Sequence, residues 1–164
     1  MNELVARVLS ATTFDSELSA FNEILKLVST VNCRGAINRD GINTHAYDLV
    51  HIACVITGIK PVAYVDNYDD LILPFIQTYK TVCNPDIIIH SIDARYYLVC
   101  MPDNNTKAQI LKTFLTFRRS ELKRKYHYIL GYCLGYPKAD VDYLIFRDKP
   151  HAAFTCIEKA ECHM

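Results

Sequence analysis

The stretch GYCLGYPKADVDYLIF, residues 131–146, predicts the end of one helix and the start of another within three residues. Gly135 is the residue type expected just past a helix C-terminus, where the backbone must be left-handed. Pro137 suits the first turn of a helix, because the N–H that it lacks would be unpaired there. We therefore predict positive φ at Gly135 and a tight corner between two helices. Three apolar residues of the corner should face a shared interior: Leu134, Val141 and Leu144.

Length and composition favour a single globular domain over residues 1–164. Hydrophobic residues make up 51% of the chain and charged residues 22%, which argues against disorder. The 18 basic and 18 acidic residues cancel, so no global field attracts nucleic acid or membrane. An anionic partner would have to be met by a local patch.

The cysteine pattern and the N-terminal sequence favour a cytoplasmic protein. The first residues lack a basic start followed by an apolar core, and the sequence has no apolar run of membrane-spanning length. The number of cysteines is odd and none has CxxC spacing, so reduced and mostly buried thiols are expected. The cysteines are Cys33, Cys54, Cys83, Cys100, Cys133, Cys156 and Cys162.

The spacing of apolar residues in the first half predicts three helices. One is capped by Asp15, a second runs from Thr44 to a stop at Gly58, and a third covers residues 71–82 with Pro74 near its first turn. Residues 33–43 carry turn residues and little periodicity, which indicates an exposed loop.

The predicted strands lie near the middle of the chain. Residues 61–65, 87–92 and 96–101 have strand character, and the short gap between the last two predicts an antiparallel hairpin. Helical spacing returns at Thr106, divides near Ser120 and ends at Gly135; residues 151–159 follow as a strand or packed tail. The predicted fold is α/β or α+β: a small mixed sheet with a central hairpin, packed by several helices that include the helix-GYP-helix corner.

Two motifs resemble those of an uncharacterised bacterial family of unknown function. Gly58, Lys60 and Pro61 form a GxKP segment, and residues 131–141 match GxxLGYPxxDV. The resemblance covers residues 52–146, with literal identity confined to these motifs. Family members often have Pro-His-Glu before the corner, whereas this chain has His-Tyr-Ile at residues 127–129, so no His/Glu pair carries over. The resemblance implies an architecture and no mechanism.

A dense group of positive charge is the main functional lead. This basic cluster consists of Arg118, Arg119, Lys123, Arg124 and Lys125. Aromatic residues surround it, and basic residues interleaved with aromatics can hold phosphates while stacking bases. The simpler interpretation, which the zero net charge favours, is a solvated helix face whose aromatics point into the core.

We predict a non-enzymatic binding module for an anionic ligand, which would be a nucleotide, a small phosphorylated molecule or a nucleic-acid segment. The candidate ligand-binding residues are Arg118, Arg119, Arg124, Lys125 and Tyr128. The sequence does not identify a cofactor.

A metal-dependent phosphoryl-transfer or hydrolytic enzyme is the alternative from another class. Asp66, Asp69 and Asp70 follow a predicted strand, where carboxylates can hold Mg²⁺. Asp93 can join them, although a hairpin-turn residue is its simpler interpretation. Aspartates are common in loops because their side chains form hydrogen bonds with the nearby backbone, so we assign no metal site.

Other candidate residues have structural explanations that we favour. His45, Asp48 and His51 recur at three-residue steps on a helix, where Asp48 can stabilise the first turn. Cys133 precedes the corner and is the first thiol to test as a nucleophile. Its helical spacing, however, is typical of a buried structural residue. The terminal residues Cys156, Cys162 and His163 have no diagnostic metal spacing.

A third possibility is a protein-interaction scaffold or homo-oligomer. Its interface would be the tyrosine-rich corner formed by Tyr132, Tyr136 and Tyr143, because tyrosine is enriched at protein interfaces.

Overall fold

The computed structural model describes residues 1–30, 44–67, 70–116 and 125–146. The helices are α1 Asn2–Leu9, α2 Phe14–Thr30, α3 Thr44–Ile56, α4 Ile72–Val82, α5 Asn105–Thr116, α6 Lys125–Leu134 and α7 Lys138–Phe146, with a 3-10 turn at Pro102–Asn104. The strands are β1 Val62–Asp66, β2 Ile88–Ser91 and β3 Tyr96–Cys100. This is a mixed α+β fold, as the sequence predicted.

The three strands form one antiparallel sheet in the order β1-β3-β2. Cys100 of β3 lies between Val62 of β1 and Ile88 of β2, which sets the register of the whole sheet. The predicted hairpin is confirmed as β2 and β3. Asp93 makes its turn, because the carboxylate accepts hydrogen bonds from the backbone N–H groups of Arg95 and Tyr96, both at 2.8 Å.

Helices cover both faces of the sheet because alternate strand residues point to opposite sides. Ala63 and Val99 face one core, which the buried side chains of α1 to α4 complete. Its centre is aromatic, since the rings of Phe21 and Phe75 pack edge-on with their centroids 5.1 Å apart. Leu98 faces the second core, which α5 and α6 complete. The result is a three-layer arrangement with the sheet in the middle.

The N-terminal helices begin earlier than the sequence indicated. The segment before Ser10 forms α1, a helix that is not among those predicted from the sequence. The next helix, α2, starts at Phe14, so Asp15 lies in its first turn and the prediction that Asp15 is the cap is wrong. The hydroxyl of Thr13 takes that role by accepting a hydrogen bond from the N–H of Ser16 at 3.3 Å.

The predicted corner is confirmed. α6 ends at Leu134, Gly135 has φ of 76°, and α7 begins at Lys138. The N–H of Tyr136 donates to the carbonyl of Gly131 at 2.9 Å, which satisfies one of the last carbonyls of α6. Val141 is buried. Leu134 packs against the second core, whereas the side chain of Leu144 lies outside the description.

Some predictions fall outside the described residues: the loop at 33–43, the division near Ser120 and the element at 151–159. The side chain of Thr44, at the start of the second predicted helix, is not described either. None of the helices in the described part of the chain has the length and apolar character to cross a bilayer.

Candidate functional site

The two motif segments, far apart in the sequence, contact each other in the fold. A Cβ atom built on Gly135 would lie 2.5 Å from Cδ of Pro61, so glycine allows the corner to approach the proline directly. Gly131 approaches Val141 in the same way: its Cβ would lie 2.3 Å from Cγ2 of that side chain. We call the contact of residues 58–61 with residues 131–141 the motif junction.

The backbone of Lys60 is held on both sides within the motif junction. Gly58 has φ of 77° and ends α3, after which the N–H groups of Ile59 and Lys60 both donate to the carbonyl of Cys54, at 2.8 and 3.0 Å. On the other side, Pro61 fixes its own φ and packs against Gly135. The side chain of Lys60 therefore leaves the chain from an ordered position.

The side chain of Lys60 is half-buried and reaches the first tyrosine after the corner. Its ammonium lies 4.7 Å from the ring centroid of Tyr136, within cation–π range. Burial lowers the pKa of Lys60 to about 8, with the nearby Cys54 opposing this in part. Within the described residues, no carboxylate forms an ion pair with Lys60.

The two effects on Lys60 can be compared in energy. The lowered pKa corresponds to a desolvation cost of roughly 1 to 3 kcal/mol for the charged amine, after allowance for its partial exposure. A cation–π contact returns about 0.5 to 2 kcal/mol. The midpoints of the two ranges leave this cation at a net cost of about 1 kcal/mol.

We expect Lys60→Met to raise the free energy of unfolding by about 1 kcal/mol at pH 7, where the native and unfolded parent are both protonated and the burial cost is complete. As the pH rises through 8, the native amine loses its proton while the unfolded chain keeps its own up to about 10.5. The free energy of unfolding of the parent rises in that pH window, so the difference in stability between Lys60→Met and the parent should shrink. Urea unfolding at pH 7 and pH 10 measures this, with Lys26→Met as the control for lost charge; an unchanged difference between the two pH values would contradict it.

Two further lysine–tyrosine pairs flank the motif junction. The ammonium of Lys107 on α5 lies 4.9 Å from the ring centroid of Tyr132, and that of Lys138 lies 5.6 Å from Tyr128. All the tyrosines involved are exposed, Tyr132 most of all at 65%. We call this set the lysine–tyrosine surface: Lys60, Lys107, Lys138, Tyr128, Tyr132 and Tyr136.

Asp142 compensates one of these three lysines. Its carboxylate accepts hydrogen bonds from Lys138 at 2.6 Å and from the hydroxyl of Tyr128 at 2.7 Å. Burial alone would raise the pKa of Asp142, but the two hydrogen bonds and the lysine charge together lower it. The hydrogen bond that Tyr128 donates to Asp142 raises the pKa of Tyr128. Neither Lys60 nor Lys107 has an ion pair of this kind with any described carboxylate.

The predicted ligand-binding residues are only partly described. Arg118, Arg119, Lys123 and Arg124 lie outside the described residues, and Lys125 is the first residue of α6 with its side chain outside the description. Tyr128 belongs to the lysine–tyrosine surface. The basic cluster links α5 to α6 in the sequence, and its role in binding stays a prediction.

The aspartates proposed as metal ligands have other partners. Asp66 accepts two hydrogen bonds from Arg95, at 2.5 and 2.6 Å. Asp70 has φ of 52°, and its carboxylate accepts from the amide of Asn67 at 2.8 Å. Asp69 lies outside the described residues. Among the residues that the structure describes, no three histidine, cysteine, aspartate or glutamate side chains are arranged to hold a metal ion.

The polar residues of α3 have a role that the sequence did not indicate. Asp48 is buried and its carboxylate accepts a hydrogen bond from the backbone N–H of Asp66 at 3.0 Å. Asp48 therefore pairs with a backbone N–H at the outer edge of β1. The sequence had instead predicted that it stabilises the first turn of its own helix. His51 is also buried, whereas the side chain of His45 is not described.

Cys133 is a packing residue of the second core. It is fully buried, and burial raises the pKa of its thiol although the charge of Lys107 opposes this. A raised thiol pKa disfavours the nucleophilic thiolate, in line with the favoured structural interpretation. Cys156, Cys162 and His163 lie outside the described residues.

The pairing of Lys60 with Tyr136 is the feature that sequence reasoning missed. The motifs GxKP and GYP both stood out, but nothing in their spacing placed one against the other. The signal available was that each motif has a polar or aromatic residue beside a glycine or proline of special backbone geometry.

Comparisons of the chain with protein-family models, curated proteins and solved structures gave no match.

Proposed function

We propose that the protein is a binding module for an anionic ligand, held at the lysine–tyrosine surface with the help of the basic cluster. The observation that carries this proposal is the pair Lys60 and Lys107. Each places an ammonium over an exposed tyrosine ring, and neither has a carboxylate partner in the described part of the chain. An anion would supply the missing counter-charge.

The ligand classes are a nucleotide, a small phosphorylated molecule or a nucleic-acid segment. Phosphate oxygens accept hydrogen bonds from lysine and arginine, and the exposed tyrosine rings offer faces on which a base can stack. The basic cluster supports the same proposal, because it joins α5, which carries Lys107, to α6, which carries Tyr128 and Tyr132. We also propose, from the GxKP and GYP motifs, that the chain belongs to the uncharacterised bacterial family that these motifs resemble.

We place this binding activity in the cytoplasm. The cysteines Cys83, Cys100 and Cys133 are free thiols, which a reducing compartment maintains.

We expect Lys107→Ala to weaken binding of a phosphate-bearing ligand by about tenfold, because it removes one charge-assisted contact. The Arg118→Ala/Arg119→Ala/Arg124→Ala variant should lose at least as much. Calorimetry with ATP, pyrophosphate and a dT oligonucleotide measures this, and binding should weaken as salt rises.

Lys26→Ala is the matched control for that experiment. Lys26 is an exposed lysine of α2, which packs on the opposite face of the sheet, so its removal should leave binding unchanged. Absence of binding by all three probes to the parent would overturn the proposed function. Equal affinity of the parent and the arginine variant would remove the basic cluster from the site.

A protein partner is the second candidate, at the tyrosine-rich corner of Tyr132, Tyr136 and Tyr143, where Tyr132 is 65% and Tyr143 50% exposed. Light scattering that gives a mass above 18.8 kDa, reduced by Tyr132→Ala, would support a homo-oligomer.

A further inference from the structure

The three rings of the lysine–tyrosine surface follow one another along α6. Tyr128 and Tyr132 are four residues apart, so they lie on one face of the helix, one turn from each other. Tyr136 comes four residues later, directly after the glycine that ends the helix. The rings are 37%, 65% and 38% exposed in that order, so part of each is open to a ligand. We call these three residues the tyrosine row.

Each ring of the tyrosine row has a lysine beside it, and the three lysines come from different parts of the fold. They belong to α5, to α7 and to the connection between α3 and β1, and α6 packs against both of the helices. Their ammonium groups lie 4.7 to 5.6 Å from the ring centroids. Segments that are distant in the sequence therefore repeat the same unit three times, an aromatic ring beside a positive charge.

This unit matches the two chemical parts of a nucleotide, because a base stacks on an aromatic ring while a phosphate pairs with a cation. One helical turn separates Tyr128 from Tyr132 by roughly 6 Å along the axis, whereas stacked nucleotides of a duplex strand are about 3.4 Å apart. Bases on neighbouring rings are then too far apart to stack on each other. The spacing favours an extended strand whose bases are unpaired and unstacked.

We propose that the tyrosine row binds single-stranded nucleic acid, with successive bases on successive rings. The inference rests on the proposed function and narrows its ligand to an unpaired strand of at least two nucleotides. The basic cluster ends at Lys125, the first residue of α6, so it would continue the path of the phosphates beyond Tyr128.

The charges along the tyrosine row are unequal. Asp142 accepts hydrogen bonds from both Lys138 and Tyr128, so the charge of this lysine is compensated. Lys60 and Lys107 form no ion pair with any carboxylate in the described part of the chain. We therefore expect phosphate contacts at these two lysines, while Tyr128 contributes its ring alone.

The first test varies the length and the pairing of the strand. Fluorescence anisotropy of a labelled eight-nucleotide dT strand on the full chain is measured with three competitors: thymidine monophosphate, a four-nucleotide dT strand and a GC-rich duplex of twelve base pairs. We expect the four-nucleotide strand to compete at least tenfold better than the monophosphate and than the duplex. Equal competition by the monophosphate, or by the duplex, would overturn the single-strand proposal.

A second test changes one ring of the tyrosine row. Tyr132→Leu should weaken binding of the eight-nucleotide strand at least fivefold, because it removes the most exposed ring. Tyr132→Phe keeps a ring and should bind more tightly than the leucine variant. Tyr143→Leu is the control, since it removes an exposed tyrosine of α7 outside the row. Equal affinities of the two Tyr132 variants would rule out stacking on this ring and overturn the proposal.

The salt dependence of binding tests the cations. For a single strand, the logarithm of affinity falls with that of salt by about 0.7 for each neutralised phosphate, so Lys107→Ala should make the slope shallower by about that amount. Asp142→Asn should tighten binding and make the slope steeper, because it releases the charge of Lys138. Unchanged slopes in both variants would contradict the proposed path of the strand.

These measurements distinguish failure of this inference from failure of the proposed function. Absence of binding by pyrophosphate, ATP and every oligonucleotide would overturn both. Binding of pyrophosphate or ATP without any preference for the longer unpaired strand would keep the anion-binding module and overturn the single-strand proposal alone. Competition by a glutamate decapeptide as strong as that by the eight-nucleotide strand would indicate an acidic protein partner and would also overturn it.

Discussion

Replacing Gly135 with valine is expected to lower the free energy of unfolding by about 4 kcal/mol. The residue has φ of 76°, where a β-branched side chain is strongly disfavoured. In addition, a Cβ atom at this position would lie 2.5 Å from Cδ of Pro61, so the corner and the start of β1 must move apart. Backbone strain and overpacking each cost roughly 1 to 3 kcal/mol. Urea unfolding of the parent and the variant measures the loss.

Gly58 is the matched control, because it isolates the backbone effect. Its φ is 77°, almost that of Gly135, yet a Cβ built on it would have no neighbour within 4 Å. Gly58→Ala should therefore cost about 1 kcal/mol, from the left-handed conformation alone. Gly135→Ala should cost about 2 kcal/mol more than that. Equal losses for the two alanine variants would show that the contact with Pro61 is unimportant, and unchanged stability of Gly135→Val would contradict the whole argument.

The parts of the fold that follow from local backbone rules were predictable from the sequence. Gly135 and Pro137 placed the corner, because few other residues suit a left-handed turn and a helix start. Asp93 was recognised as a turn residue since a short loop between two β-branched runs needs side-chain acceptors for its backbone. Such signals depend only on neighbours in the chain.

The contacts between distant segments could not be predicted in the same way. Asp48 bonds the outer edge of β1, and Asp66 pairs with Arg95, because packing of the layers brings them together. The sequence showed acidic residues in suggestive groups, but a carboxylate looks alike whether it caps a strand, pairs with arginine or binds a metal. The GxKP motif drew attention to Lys60, but no local pattern showed its burial against Tyr136, from which its character comes.

The candidate site and the corner are physically linked. The approach of Gly135 to Pro61 sets the position of both neighbours in the motif junction, Lys60 before the proline and Tyr136 after the glycine. A side chain at residue 135 would separate the two segments and so separate the amine from the ring. Substitutions at the corner are therefore expected to affect binding through Lys60 as well as stability.

Gly131→Ala is the second substitution with a large expected effect, although alanine is the better helix former by about 1 kcal/mol. Gly131 is buried in α6, and a Cβ there would lie 2.3 Å from Cγ2 of Val141 on α7. Valine is stiff about χ1 in a helix, so rotation relieves little of the overlap and α7 must shift away from α6. We expect a net loss of about 2 to 3 kcal/mol in urea unfolding.

The double variant Gly131→Ala/Val141→Ala tests whether the loss comes from this one contact. Val141→Ala alone should cost about 2 kcal/mol, because it removes a buried side chain. In its background the added methyl group at residue 131 no longer meets Cγ2, and the helix propensity of alanine becomes a gain. The two substitutions should therefore be less harmful together than their sum, by at least about 2 kcal/mol. Additive losses would mean that α6 and α7 are not held at this distance by Gly131 and Val141.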